Sequence, residues 1–427
     1  MKKIRHVAFL LFILLFFVSN SYGKIYLDVY GKSLKKITIA VPYFKSEKPN
    51  KLNVEMTTLL NKDLDMSGFF IPAPQTLFDK ELMDEGIEKK DIKFNNWRSI
   101  GVELLCKGVV QEKNDEVVLD AYVYDTIDGS LIHANKYISK SIEWRKTIHR
   151  LADDIINAVT GEKGIMSSRI VFVYGYKGKK EIYASDLDGY NLQRLTNYNS
   201  ITLSPSISPD GRYLAYTTYA KGRPYLYIID RQTKKEVYVD SETGMKTGTA
   251  WRDKNTFAYS FTSGRKSTIY MVDVTTGTKR PIVSGDGIYA SPSFSPDGSK
   301  VVYVSDIHGS PQIFMTDIAT GVTKRLTFFG SYNVSPNFSP KGDLIVFVSK
   351  VEGAFEICVM NIDGSNPRLL TNGGINDSPR FSPCGRYIIY STNKGNKNSI
   401  AIMLFNGENK KMLNFTDGDE TQPFFMP

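Results

Sequence analysis

The 427-residue chain is poor in the side chains from which most catalytic and metal sites are built: it has four His, three Cys and three Trp. So few imidazoles leave little for acid/base or metal-ligand chemistry near neutral pH. Cys106, Cys358 and Cys384 lie far apart and match no zinc or C-x-x-C spacing, which excludes a disulfide framework and leaves packed or idle thiols. No G-x-S-x-G, P-loop or dinucleotide fingerprint occurs. Long apolar runs are scarce too. The run at Val7–Val18 has 12 residues, too short for a hydrocarbon core of about 30 Å, and no later stretch approaches the roughly 18 a spanning helix needs. Arg-rich blocks interleaved with aromatics are missing, so a formal charge of +9 does not point to nucleic acid.

What is present first sets the compartment. Lys2, Lys3 and Arg5 precede the apolar run, and Ser21-Tyr22-Gly23 places small residues three and one before a cut, the pattern of a signal peptide over residues 1–23. Cleavage between Gly23 and Lys24 leaves an exported, soluble chain of formal charge +6, and no Cys follows the cut to carry a lipid. Apolar residues at 41%, charged residues at 23%, 25 Tyr and 24 Phe are ordinary for a globular protein with ample material to bury.

An internal repeat fills the C-terminal part. SPSISPDGRYLAYTTY from Ser204, SPSFSPDGSKVVYVSD from Ser291, SPNFSPKGDLIVFVSK from Ser335 and SPRFSPCGRYIIYSTN from Ser378 put their second prolines at Pro209, Pro296, Pro340 and Pro383, intervals of 87, 44 and 43 residues. The first interval is two periods, its missing member being GTAWRDKNTFAYSF from Gly248 with a degenerate turn. A period near 43 is that of propeller blades. Each unit reads as four short strands. Pro-x-Phe-Ser is the innermost, with Pro placed at its start, where a donor is not needed. Ser-Pro-Asp-Gly turns the chain, two alternating strands follow, and Asp188-Gly189, Thr276-Gly277, Thr320-Gly321, Asp363-Gly364 or Asn406-Gly407 closes the outer hairpin. Second strands near Ile170, Tyr213, Thr256, Val301, Leu344 and Tyr387 count six blades. The first lacks an inner strand, and Gln422-Pro423-Phe424-Phe425-Met426-Pro427, ending 44 residues after Pro383, supplies it and closes the ring.

Residues 24–163 have no repeat. Lys36–Val41 reads as a strand, Leu52, Met56, Leu59, Leu60 and Leu64 as a helical stripe ending at Gly68, and Val117–Thr126 and Leu131–Ile138 as a hairpin about Asp128-Gly129. A second helix carries Trp144, Ile148, Leu151, Ile155 and Val159, with Ser141 as its cap and Gly161 as its end. The expected fold is therefore an α/β N-terminal domain, 24–163, followed by an all-β six-bladed propeller, 164–427, closed by the C-terminal strand.

Loops that precede the inner strands emerge on one face around the channel. They bring Tyr198, Asn199, Met245, Lys246, Tyr289, Tyr332, Asn333, Asn376, Asp377 and Glu420 into a ring that mixes aromatic anchors with polar groups. From the residues alone this is equally a binding surface or a wet rim. A sugar or other small ligand in the central channel stays open as an alternative. His133, His149 and His308 read as a strand, a helix-face and a loop residue without catalytic partners, so neither a catalytic, a cofactor nor a metal site is expected.

An exported α/β domain holding Asn96-Trp97-Arg98-Ser99-Ile100-Gly101 and Leu104-Leu105-Cys106-Lys107-Gly108, followed by these blades, resembles the TolB family, periplasmic components of the Tol-Pal system of Gram-negative bacteria. The resemblance covers the chain after residue 23. It departs at Arg252-Asp253-Lys254-Asn255, Lys341 and Cys384, all turn positions. It implies a non-enzymatic, monomeric periplasmic scaffold without cofactors that reaches membranes only through partners and supports outer-membrane integrity and constriction during division. It implies that the ring of loops docks Pal, the peptidoglycan-associated lipoprotein. It also implies that the segment 24–35, chiefly Lys24, Ile25, Tyr26, Leu27, Asp28, Val29 and Tyr30, binds the C-terminal domain of TolA, with other outer-membrane proteins as further candidates.

Overall fold

A computed structural model describes residues 35–47, 51–393, 395 and 397–427. The signal segment, its cleavage position and the Lys24–Tyr30 segment lie outside the described residues. Among the described residues no helix is long and apolar enough to cross a membrane.

The N-terminal part is a mixed sheet in the order Phe70–Pro72, Ile37–Ala40, Leu104–Lys113, Glu116–Asp125, Leu131–Lys140. Alternation along these strands supplies two apolar faces. Leu104 and Cys106 point to one, with Val117, Leu119, Ala121 and Val123, and are covered by helices Lys51–Ser67 and Trp144–Thr160. Leu105 and Tyr124 point to the other, against Phe78, Leu82 and Trp97 from the short helical segments between residues 75 and 99. Both long helices end as expected, at Gly68 with φ +79° and Gly161 with φ +72°, conformations that side chains resist. Ser141 is not the cap. Its N–H is held by Asp115 O at 2.8 Å, so Ser141–Glu143 makes a tight turn and the helix starts one step later, at Trp144.

The C-terminal part is a ring of antiparallel sheets. Four of them have four strands each, and the fifth has eight, running from Asn333–Phe338 to Lys411–Leu413. Six separate blades are thus seen only in part: where two were expected there is one sheet, because Phe355 pairs in parallel with Ile375 and joins them. The ring closes as the spacing required, Asp419–Phe425 pairing with Arg169–Tyr176 from Asp419–Gly175 to Phe425–Ile170.

Six innermost strands share one irregularity. Each shifts register once, between Leu203 and Ser206, Thr247 and Ala250, Ala290 and Ser293, Val334 and Asn337, Asp377 and Arg380, and Thr421 and Phe424. At that step Ser204, Gly248, Ser291, Ser335, Ser378 and Gln422 take φ of 52–60°. This corrects the role given to proline: it sits inside the strand, at a bulge where the ladder is already broken, and not at the strand's start. The Ser-Pro-Asp-Gly turns behave as read. Ser208 and Ser295 donate to Asp210 and Asp297 at 2.6 and 2.5 Å, and the same carboxylates accept the N–H two residues on. In the degenerate turn Asp253 does this for Asn255 and Thr256 at 2.9 and 2.8 Å. Cys106 and Cys358 are buried free thiols that burial pushes up to about 12.

The N-terminal domain sits on the ring face that carries those turns. Tyr387 Oη donates to Ser67 O at 2.9 Å, Lys411 pairs with Asp65 at 2.6 Å, and Arg386, buried over Phe69, pairs with Glu162 at 2.6 Å. His149, expected on its helix away from the apolar stripe, is not in solvent there. It is buried at this joint, Nδ1 bonded to Asp63 Oδ2 at 2.7 Å and Nε2 3.4 Å from Asp188, which also receives Arg145. Burial alone would lower its pKa, but the two carboxylates outweigh that and push it up to about 9.

Candidate functional site

On the opposite face the ten loop residues divide by a simple parity. Counting two residues back from the positive-φ position of each inner strand gives Thr202, Lys246, Tyr289, Asn333, Asn376 and Glu420, and all six are 0–7% exposed. Side chains alternate across a strand, so these point inward while their neighbours face solvent. Asn376 Nδ2 donates to Phe355 O and Glu356 Oε2, both at 3.0 Å, and Thr371 Oγ1 donates to the same carboxylate at 2.5 Å. Asn333 Nδ2 and Thr327 Oγ1 meet Gln312 Oε1 at 2.9 and 2.7 Å. Glu420 accepts from the N–H groups of Phe415 and Thr416, and Glu181 from Thr196 Oγ1 at 2.5 Å. Lys246 donates to Glu242 O and lies 3.6 Å from Asp240. Tyr289 packs on Tyr303 with ring centroids 5.9 Å apart. These groups fasten the loops to the blades and are spent inside them.

What the face presents to solvent is the other half of the set. Asn199, Met245, Tyr332 and Asp377 are exposed, and Tyr198 is half-buried with its hydroxyl on Tyr216 Oη at 2.8 Å. Asp377 accepts Ser335 Oγ at 3.0 Å and is fixed in place. Apolar residues outside the chosen ten join them. Ile375 is 58% exposed, and with Ile288, Val334, Phe355 and the already chosen Tyr332, 37% exposed, it lines a hollow of about 480 Å³ at this end of the channel. Phe328, in the loop leading to Asn333–Phe338, is 77% exposed. The parity that buries Asn376 and Asn333 is the signal that would have added Ile375 to Tyr332, which the sequence already offered.

The face sets exposed apolar side chains beside a fixed carboxylate. Among the described residues no three His, Cys, Asp or Glu side chains are placed to share a metal ion. His133 Nε2 meets Tyr137 Oη at 3.0 Å, His149 is committed to two carboxylates, and His308 packs on Phe314.

Comparison with known proteins gives a consistent result. A family model described as the TolB amino-terminal domain matches residues 25–132, and one described as the TolB beta propeller domain matches residues 156–427. A TolB homologue of Chlorobium chlorochromatii is 35% identical over 253 residues, 59% of this chain and 56% of the relative. The Tol-Pal system protein TolB of Desulfosudis oleivorans is 36% identical over 230 residues, 53% of this chain and 52% of the relative. The chain thus aligns with little more than half the length of these relatives. The crystal structure of TolB from Acinetobacter baumannii superposes with a TM-score of 0.82, covering 92% of this chain and 97% of that one, at 24% identity, a likeness of fold.

Proposed function

The chain belongs to the TolB family, and from that premise we propose that it is a non-enzymatic periplasmic scaffold of a Tol-Pal system. In this reading the loop face of the ring docks the soluble domain of Pal, and the segment Lys24–Tyr30, outside the described residues, engages the C-terminal domain of TolA. The protein thereby links an outer-membrane lipoprotein to an inner-membrane complex and supports envelope integrity and constriction. Division at Phe355–Ile375 turns the eight-stranded sheet into two blades, and the six bulged inner strands then give a six-bladed ring. We place the domain boundary after residue 163, beyond the glycine that ends helix Trp144–Thr160.

The observation that carries this reading is the exposed apolar hollow formed by Ile288, Tyr332, Phe355 and Ile375 beside a fixed carboxylate, Asp377, on the face the N-terminal domain leaves open. Apolar anchors rimmed by polar groups are the usual centre of a protein interface. Calorimetric titration of the purified chain with the soluble Pal domain of the same organism tests it. Saturable binding that weakens by more than about 1 kcal/mol in Tyr332→Ala and Ile375→Ala supports the reading. No binding by a cooperatively melting preparation overturns it.

A further inference from the structure

The other end of the channel is chemically different. On the face that carries the N-terminal domain, a cavity of about 440 Å³ opens between the inner strands and the Ser-Pro turns, walled by prolines and by aromatics such as Trp251, Phe338 and Phe424. Among the described residues its charged lining is Arg252 and Arg380, with no Asp or Glu side chain. Volume, apolar walls and a few convergent polar groups are the ordinary attributes of a small-ligand site.

Arg380 is the anomaly that gives the site its sign. It occupies the x of Pro-x-Phe, where the other five inner strands carry Ser206, Ala250, Ser293, Asn337 and Phe424. The polar members of that set serve the ring: Ser206 Oγ donates to Thr249 Oγ1 at 2.7 Å, Asn337 Nδ2 to Ser293 Oγ at 3.2 Å, and Asn337 Oδ1 accepts Phe381 N–H at 2.9 Å. Arg380 serves nothing. Among the described residues its guanidinium makes no hydrogen bond and no ion pair. Asp377, the carboxylate whose charge reaches it, is oriented by Ser335 Oγ and the Ser378 N–H and forms no ion pair with Arg380. Burial lowers the Arg380 pKa and Asp377 opposes that, yet a guanidinium stays cationic across the accessible pH range. Arg252 spends only Nε, on Gly298 O at 3.0 Å. Arg380 is half-buried against a cavity that no carboxylate lines, so the placement leaves its guanidinium free to meet an anion supplied by a ligand.

We propose that this cavity binds a small organic anion, a carboxylate on an apolar or aromatic body, with Arg380 holding the carboxylate and the proline and aromatic walls holding the body. The planar guanidinium matches the two oxygens of a carboxylate, and the walls favour an organic body over a bare inorganic anion. The cavity opens on the face opposite the loop hollow and shares no lining residue with it, so its occupant is tested separately from the partner reading.

The test is calorimetric and thermal titration of the full purified chain with N-acetylphenylalanine, its amide, benzoate and inorganic phosphate, repeated with Arg380→Gln and Arg380→Lys. The carboxylates bind and raise Tm with concentration, the amide does neither, and phosphate binds at least tenfold more weakly. Arg380→Gln weakens N-acetylphenylalanine at least tenfold while melting no lower than the parent, since Arg380 makes no bond that folding uses. Arg380→Lys folds and weakens it less. Equal binding of acid and amide, phosphate binding as tight as the carboxylates, undiminished binding by Arg380→Gln, or no binding by any of the four would each overturn the proposal. So would a marked drop in Tm for both variants, which would make Arg380 a structural residue.

Discussion

Asn376 and Ile375 are adjacent, and parity gives them opposite duties, so exchanging each for Ala separates fastening from docking. Asn376→Ala removes hydrogen bonds to Phe355 O and Glu356 Oε2 at 3.0 Å, at a site 1% exposed. The Glu356 carboxylate keeps Thr371 Oγ1 and the Gly373 N–H, both at 2.5 Å, so it is weakened but not abandoned. The half-buried Phe355 carbonyl loses one side-chain donor. A bond to a charged acceptor at about 1.5–3 kcal/mol and a neutral one at about 0.5–1.5 kcal/mol, partly relieved by relaxation or water, give an expected loss of about 2–4 kcal/mol. Ile375→Ala, mostly in solvent, is expected to stay within about 0.5 kcal/mol of the parent in stability and to weaken partner binding by more than about 1 kcal/mol. Urea unfolding followed by tryptophan fluorescence, alongside titration with the Pal domain, reads both. An Asn376→Ala chain that unfolds like the parent but has lost binding, or an Ile375→Ala chain that is unstable yet binds normally, refutes the parity argument.

Other consequences follow from the joint, the closure and the thiols. His149, pushed up to about 9 from an unfolded value near 6.5, stabilises its joint with Asp63, Asp188, Arg145 and nearby Asp153 fully below pH 6.5. That stabilisation declines as pH rises toward 9. The difference is at most about 3 kcal/mol, and a His149→Gln chain should show a flatter stability profile between those limits; parallel profiles contradict it. Deleting residues 419–427 strips the partner strand from Arg169–Tyr176 and the buried Phe425 and Met426. At about 2–3 kcal/mol per buried side chain, cooperative melting should be lost or its midpoint should fall steeply, and an unchanged melt would refute the closure role. Cys106 and Cys358 should resist alkylation in the native chain and react on unfolding, which mass spectrometry after iodoacetamide treatment measures.

The ring was legible because its repeat obeys backbone rules that tertiary context reinforces: turns at fixed offsets, alternating strands, and a terminal segment one period after the last motif. Proline was placed wrongly because a bulge inside a four-residue segment leaves no mark in the pattern beyond the proline itself. The separation of two blades was blurred by a single parallel pair, Phe355 with Ile375, which no periodicity encodes. On the loop face the chosen loops do share one side of the ring, and half of the chosen residues point inward. Asn, Lys and Glu were taken for surface groups by type, whereas each satisfies a buried partner on its own blade or a neighbouring one. His149 escaped notice for a different reason: its partners Asp63 and Asp188 come from residues 86 and 39 positions away, the first brought by packing of the two long helices and the second by docking of the two domains. Arg380 stood in the aligned motif throughout, but its lack of a partner is visible only in three dimensions.

The most direct test of the central claim is hydrogen–deuterium exchange of the full chain with and without the soluble Pal domain. Protection is expected at residues 286–290, 327–335 and 373–378 on the loop face, with the Ser-Pro turns at 208–211, 295–298 and 339–342 unchanged. Protection confined to those turns, or to neither face while binding is saturated, would contradict it.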